Sequence, residues 1–87
     1  MIINISDLKK KIIYRSNYRG TKEMDKLLSS FTKKYINDFN DSELLLLSDL
    51  LDIDDENLYR FNQGFNIKVE IKLNYVTKLF KDFKYKP

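Results

Sequence analysis

Apolar residues recur at helical spacing through most of this 87-residue chain. The clearest run is Met24, Leu27, Leu28, Phe31 and Tyr35, at i, i+3, i+4, i+7 and i+11, which predicts a helix over about 22–36. Thr21 precedes it as a cap, and Glu23 and Asp25 fall in its first turn, where the helix dipole favours them. Upstream, Leu8, Ile12 and Arg15 form one stripe of a helix over about 7–18, capped by Ser6. Ile13 lies beside that stripe, and Lys9, Lys10 and Lys11 fill the rest of the surface. Gly20 is placed to close this helix in a left-handed conformation.

Asn40 opens a third helix, with Glu43 at capping-box spacing. Its run Leu44–Leu47, then Leu50 and Leu51, is apolar on most sides and marks it as the central helix. Asp54 caps a short fourth helix that carries Leu58 and Phe61 and stops at Gly64. Next, Ile67, Val69, Ile71 and Leu73 alternate with Lys68, Glu70 and Lys72, a period of two that reads as a strand. No second strand is available to pair with it. An extended crossing or an early helix start over 67–73 is expected, leading into a helix of about 74–85 that carries Val76, Leu79, Phe80 and Phe83.

One proline and two glycines are few breakers for a chain of this length. The expected fold is all-α: one domain over 1–87, with a three-helix core, a short fourth helix and a C-terminal helix. A chain this short buries roughly 60–65% of its unfolded surface, enough for one core and no deep cleft. There is no cysteine and no histidine. Disulfides, thiolate metal sites and Ser-His or Cys-His nucleophiles are therefore excluded, and a non-catalytic protein is expected. The apolar start, Met1 to Ser6, is too short for a signal sequence or membrane span and lacks the character of a transit peptide. That reading points to bacterial cytoplasm rather than the mitochondrial matrix.

The net charge of +3 is unevenly spread. Residues 1–22 carry six Lys/Arg and one acid, residues 23–67 four and ten, and residues 68–87 six and two. Lys9, Lys10, Lys11, Arg15, Arg19 and Lys22, with Tyr14 and Tyr18 for stacking, could serve a small nucleic-acid-binding or regulatory module. The acidic middle argues against phosphate binding, and a Lys-, Asn- and Ile-rich composition raises the pI without any nucleic-acid role. Asp49, Asp52, Asp54, Asp55 and Glu56 lack the ligand spacing of a calcium loop and read as caps and solvated charge.

The richest stretch is Arg19-Gly20-Thr21-Lys22-Glu23, then Met24-Asp25, at the corner between the first two helices. Read locally, it is a helix–turn–helix corner. Read functionally, Gly20 lets a partner's backbone approach closely while Arg19 and Glu23 flank the contact. Lys11, Tyr14, Arg15 and Asp25 are further candidates on the same flank.

The segment from Lys11 to Asp25, with Arg19, Gly20 and Glu23 in an Arg-Gly-x-x-Glu pattern, resembles the succinate dehydrogenase assembly factor family. Its bacterial members are called SdhE and its mitochondrial members succinate dehydrogenase assembly factor 2. The likeness continues through Leu27–Phe31 and Leu50–Phe61 and spans about residues 8–64. Tyr18 stands where the family usually has a second basic residue, Thr21 where it often has Met, and Phe61 where Trp is common. The resemblance implies a helical bundle that binds the flavoprotein subunit of succinate dehydrogenase, and in some bacteria of fumarate reductase. It implies assistance to covalent FAD attachment, with Arg19, Gly20 and Glu23 at the contact. FAD would be the client's cofactor, with none held stably by this chain. No nucleic acid, no membrane insertion and a monomeric free state are expected.

Overall fold

Each helix starts at a side chain that accepts a hydrogen bond from a backbone N–H three residues on. In the computed structural model, which describes residues 4–85, these caps are Asn4, Thr21, Asn40, Asp54 and Asn74. They open α1 (Ile5–Asn17), α2 (Lys22–Tyr35), α3 (Asp41–Leu51), α4 (Asp55–Gln63) and α5 (Tyr75–Asp82). Among the described residues there is no strand, and the fold is all-α. No described helix is long and apolar enough to cross a membrane. The apolar residues Met1–Ile3, with Lys86 and Pro87, lie outside the described range.

Three boundaries differ from the sequence reading. Asn4, not Ser6, caps α1, because the Asn4 Oδ1 accepts from the Asp7 N–H at 3.2 Å. The last helix is shorter than 74–85, because Phe83 turns extended (φ −75°, ψ 125°). Gly20 is not left-handed. Among the described residues only Gly64 has a positive φ, +80°, and it closes α4.

The core is drawn from every helix: Ile12 of α1; Leu28 and Phe31 of α2; Leu44 and Leu47 of α3; Leu58 of α4; Val76 and Phe80 of α5. Each is essentially sealed from solvent, and burying such a side chain contributes about 1.5–3 kcal/mol. Phe31 meets Phe80 and Phe83 edge-on, with ring centres 5.2 and 5.4 Å away. As its leucines predicted, α3 is central, packing on α1 and on α5. Leu45 is its exposed exception.

The alternating run 67–73 does not form a strand. Ile67 and Ile71 pack against the core, whereas Val69 and Leu73 stay exposed, so the segment is not one flat face. Two asparagines fasten the chain beyond α4. Asn57 Oδ1 accepts from the Lys68 N–H at 3.0 Å. Buried Asn62 donates through Nδ2 to the Phe80 and Phe83 carbonyls, both at 2.8 Å, and the Lys84 Nζ donates back to the Asn62 carbonyl at 2.8 Å. The two Asn62 bonds add a second donor to the Phe80 carbonyl, which also accepts from the Phe83 N–H at 3.2 Å, and give the Phe83 carbonyl a side-chain donor.

Replacing Asn62 by Ala removes one of the two donors to the buried Phe80 carbonyl and the side-chain donor to the part-buried Phe83 carbonyl. We expect a loss of about 1–3 kcal/mol, read as a lower urea midpoint, with α5 amides exchanging hydrogen faster than the rest. A second outcome concerns acid. Hydrogen bonds from the Asn57 side chain, and then from its backbone N–H, hold the Asp54 carboxyl below its ordinary pKa. A group depressed in the folded state stabilises above its unfolded pKa, about 3.9, and that contribution is lost as pH falls through the folded value. The stability gap between wild type and Asp54→Ala should therefore be full at neutral pH and narrow in urea melts below about pH 4.

Candidate functional site

The site is built on the C-terminal end of α3, which has no basic residue in its last turn. Four carbonyls there lack helical partners, and all four are satisfied. Asp52 N–H bonds the Asp49 carbonyl and Ile53 N–H the Leu50 carbonyl, both at 3.1 Å. The other two are reached from α1 and the corner after it. Arg15 Nη1 donates to the Ser48 carbonyl and Oγ at 3.3 Å, and Arg19 Nη1 donates to the Leu51 carbonyl at 3.0 Å. Placing cations at this end also suits the negative pole of the helix dipole.

Arg19 goes further. Its Nη2 donates to the Ile53 carbonyl at 2.9 Å and its Nε to Asp55 Oδ1 at 2.8 Å. The side chain is only 11% exposed. The second Asp55 oxygen accepts from the Gly20 N–H at 2.7 Å. The Asp25 carboxylate accepts from the Arg19 N–H, and Arg15 pairs with Asp52. One corner thus ties α1, α2, α3 and α4 together.

Gly20 is required here for room, not for a left-handed backbone. A Cβ at this position would sit 2.8 Å from Asp55 Oδ2. Gly20 is exposed, and the position its Cβ would take lies against the chain's own Asp55. Arg19 likewise faces the chain's own acceptors.

Other candidates do face outward. Tyr14 and Tyr18 are 64% and 70% exposed, with ring centres 4.6 Å apart. Lys11 is exposed one turn before Tyr14 on the same face. Glu23 is exposed on α2, beside Tyr59 and Tyr85 rather than beside Arg19. The seven candidates therefore separate. Arg15, Arg19, Gly20 and Asp25 bond within the corner, while Lys11, Tyr14 and Glu23 point to solvent. Because Arg15 and Arg19 are engaged with carboxylates, the nucleic-acid alternative loses two of its six N-terminal cations.

Asp52 and Asp55 were missed as participants. They read as solvated charge, yet each is the acid partner of an arginine. The basic start and acidic middle of the chain were the available signal for this pairing. Among the described residues, no cluster of three acidic, His or Cys side chains could hold a metal ion.

A family model described as "Flavinator of succinate dehydrogenase" matches residues 10–84. The chain belongs to that family. The flavinator match covers the corner and all five helices save the start of α1. Curated relatives agree. Over 49 residues the chain is 47% identical to succinate dehydrogenase assembly factor 2, mitochondrial, of Scheffersomyces stipitis, covering 56% of this chain and 33% of that protein. Over 51 residues it is 41% identical to the protein of the same name from Meyerozyma guilliermondii, covering 59% and 38%. A Drosophila mojavensis relative, succinate dehydrogenase assembly factor 2-B, mitochondrial, is 44% identical over 43 residues, covering 49% and 27%. The matched segment thus spans about a third of these relatives' length. No solved structure matches the chain. All of these relatives are named mitochondrial, which overturns the bacterial cytoplasmic placement. That placement rested on the N-terminal residues alone, which carry no such information.

The steric role of Gly20 is testable in this flavinator-family chain. Gly20→Ala should force Asp55 aside, break its bonds to Arg19 and Gly20, and cost about 1–3 kcal/mol in chemical denaturation. In an Asp55→Ala background the same change should cost almost nothing, because the colliding carboxylate is gone. Equal costs in both backgrounds would show that Gly20 has another role.

Proposed function

We propose that this chain is a non-catalytic assembly factor that docks on the flavoprotein subunit of succinate dehydrogenase and promotes covalent attachment of FAD to it. The observation that carries this reading is the exposed Tyr14–Tyr18 pair with Lys11, mounted on a corner whose arginines are already held. Exposed tyrosines are enriched at protein-docking faces. They present a large contact area that loses little freedom on binding, because α1 and the corner are braced beforehand. The family description supports the client's identity.

In this reading Lys11, Tyr14, Tyr18 and Glu23 touch the client. Arg15, Arg19, Gly20 and Asp25 hold the surface that presents them. The chain has no histidine or cysteine to act as a nucleophile, so the bond to flavin forms within the client. The factor's contribution is positional: it favours the client conformation in which flavin and the accepting side chain meet. FAD enters as the client's cofactor, and no residue of this chain is assigned to it.

The test is co-expression of the flavoprotein subunit with and without this chain, in a host lacking its own factor. Covalent flavin is then read as fluorescence in a denaturing gel. Fluorescence should appear with the chain present and fall at least about tenfold with Tyr14→Ala/Tyr18→Ala, whose circular dichroism should match wild type. Equal fluorescence with and without the chain would overturn the reading.

A further inference from the structure

A groove of about 280 Å³ lies between α2, α4 and the residues after α5. Buried Met24 and Leu27 line it, as do the half-exposed rings of Tyr59 and Tyr85. Glu23, Lys84, Asn62 and Gln63 complete its lining. It adjoins the corner, because Tyr59 lies one helical turn beyond Asp55 on α4.

The charges in this groove are unbalanced in a particular way. Glu23 is exposed and has no ion-pair partner among the described residues. The groove's own cation does not neutralise it, because the Lys84 Nζ is bonded to the Asn62 and Lys81 carbonyls at 2.8 and 3.5 Å. An unpaired carboxylate therefore stands beside two aromatic rings over an apolar floor. At about 280 Å³ the space falls just below the usual range of small-molecule sites and suits one long side chain.

We propose that this groove receives an arginine side chain from the protein partner. The guanidinium would pair with Glu23 through two parallel N–H···O bonds and stack on Tyr59 or Tyr85, while its methylene stem covers Met24 and Leu27. Arginine suits the site better than lysine, because a planar guanidinium serves both a carboxylate and a ring face. The proposal rests on the assembly-factor reading only for the partner's identity. It gives the segment after α5 a role in binding, since Tyr85 forms part of the groove.

Two measurements separate the proposal from that reading. The first uses the full chain and two blocked tripeptides, Gly-Arg-Gly and its neutral citrulline twin, with amide resonances followed by NMR. At millimolar concentration the arginine peptide should shift the Glu23, Tyr59 and Gln63 resonances, the citrulline peptide should not, and Glu23→Gln should abolish the response. Equal shifts from both peptides, or none from the arginine peptide, would overturn the proposal. The second measures affinity for the flavoprotein subunit. Glu23→Gln and Tyr59→Leu should each weaken binding at least about tenfold with helical content unchanged. Wild-type affinity in both variants would overturn the proposal while leaving the assembly reading standing. Failure of the wild-type chain to bind this subunit, with the peptide response intact, would instead overturn the assembly reading and keep the groove.

Discussion

The C-terminal end of α3 is the point on which this fold depends. A central helix rich in leucine buries itself well but ends with carbonyls and a negative dipole pole that its own last turn does nothing to balance. Arg15 and Arg19 supply the missing donors and charge, one from α1 and one from the residues just after it. Desolvating a guanidinium is costly unless its donors are satisfied. At Arg19 three of its nitrogens find acceptors, two carbonyls and a carboxylate, and each is a charge-assisted bond. Removing that one side chain would take the side-chain donor from the Leu51 and Ile53 carbonyls and from Asp55 Oδ1, leaving Asp55 only its bond from the Gly20 N–H.

The same bonds explain why the Arg-Gly-x-x-Glu pattern is compact. Asp55 grips two consecutive residues, Arg19 through its side chain and Gly20 through its N–H, and this leaves no room for a Cβ at Gly20. The outward surface inherits that rigidity. Tyr18 directly precedes the braced arginine, and the Tyr14 ring, one turn back, packs on it at a tilt. Braced corner and exposed surface are therefore different residues of one short segment. The inner ones fix geometry, and the outer ones are available for recognition.

The last third of the chain is held by a different device. Its apolar residues alone give a poorly defined path, because only Ile67 and Ile71 of the alternating run reach the core. Asn57 and Asn62, both buried on α4, fix that path by bonding backbone groups of residues 68, 80 and 83. Buried amides of this kind are specific because an unmet donor or acceptor there is penalised more than a lost apolar contact. They also set where Lys84 and Tyr85 lie, and hence the shape of the groove beside Glu23.

Helix number, order and core were legible in the sequence, because caps and 3.6-residue spacing are local signals. Thr21, Asn40, Asp54 and Gly64 do what their positions imply, and Phe31, Phe61 and Phe80 are buried as their spacing implies. The family too could be read from residues adjacent in the chain. What the sequence could not supply was which charge meets which. Arg19 and Asp55 are 36 residues apart, and Arg15 and Asp52 are 37 apart. On their own helices these residues read as a basic face and an acidic run. Only the packing of α1 against α3, with the start of α4 beside that corner, turns them into ion pairs. The tertiary structure likewise decided that Gly20 is needed for space, and that Glu23 belongs to a groove with Tyr59 and Tyr85. Both are contacts between distant segments, which no local period encodes.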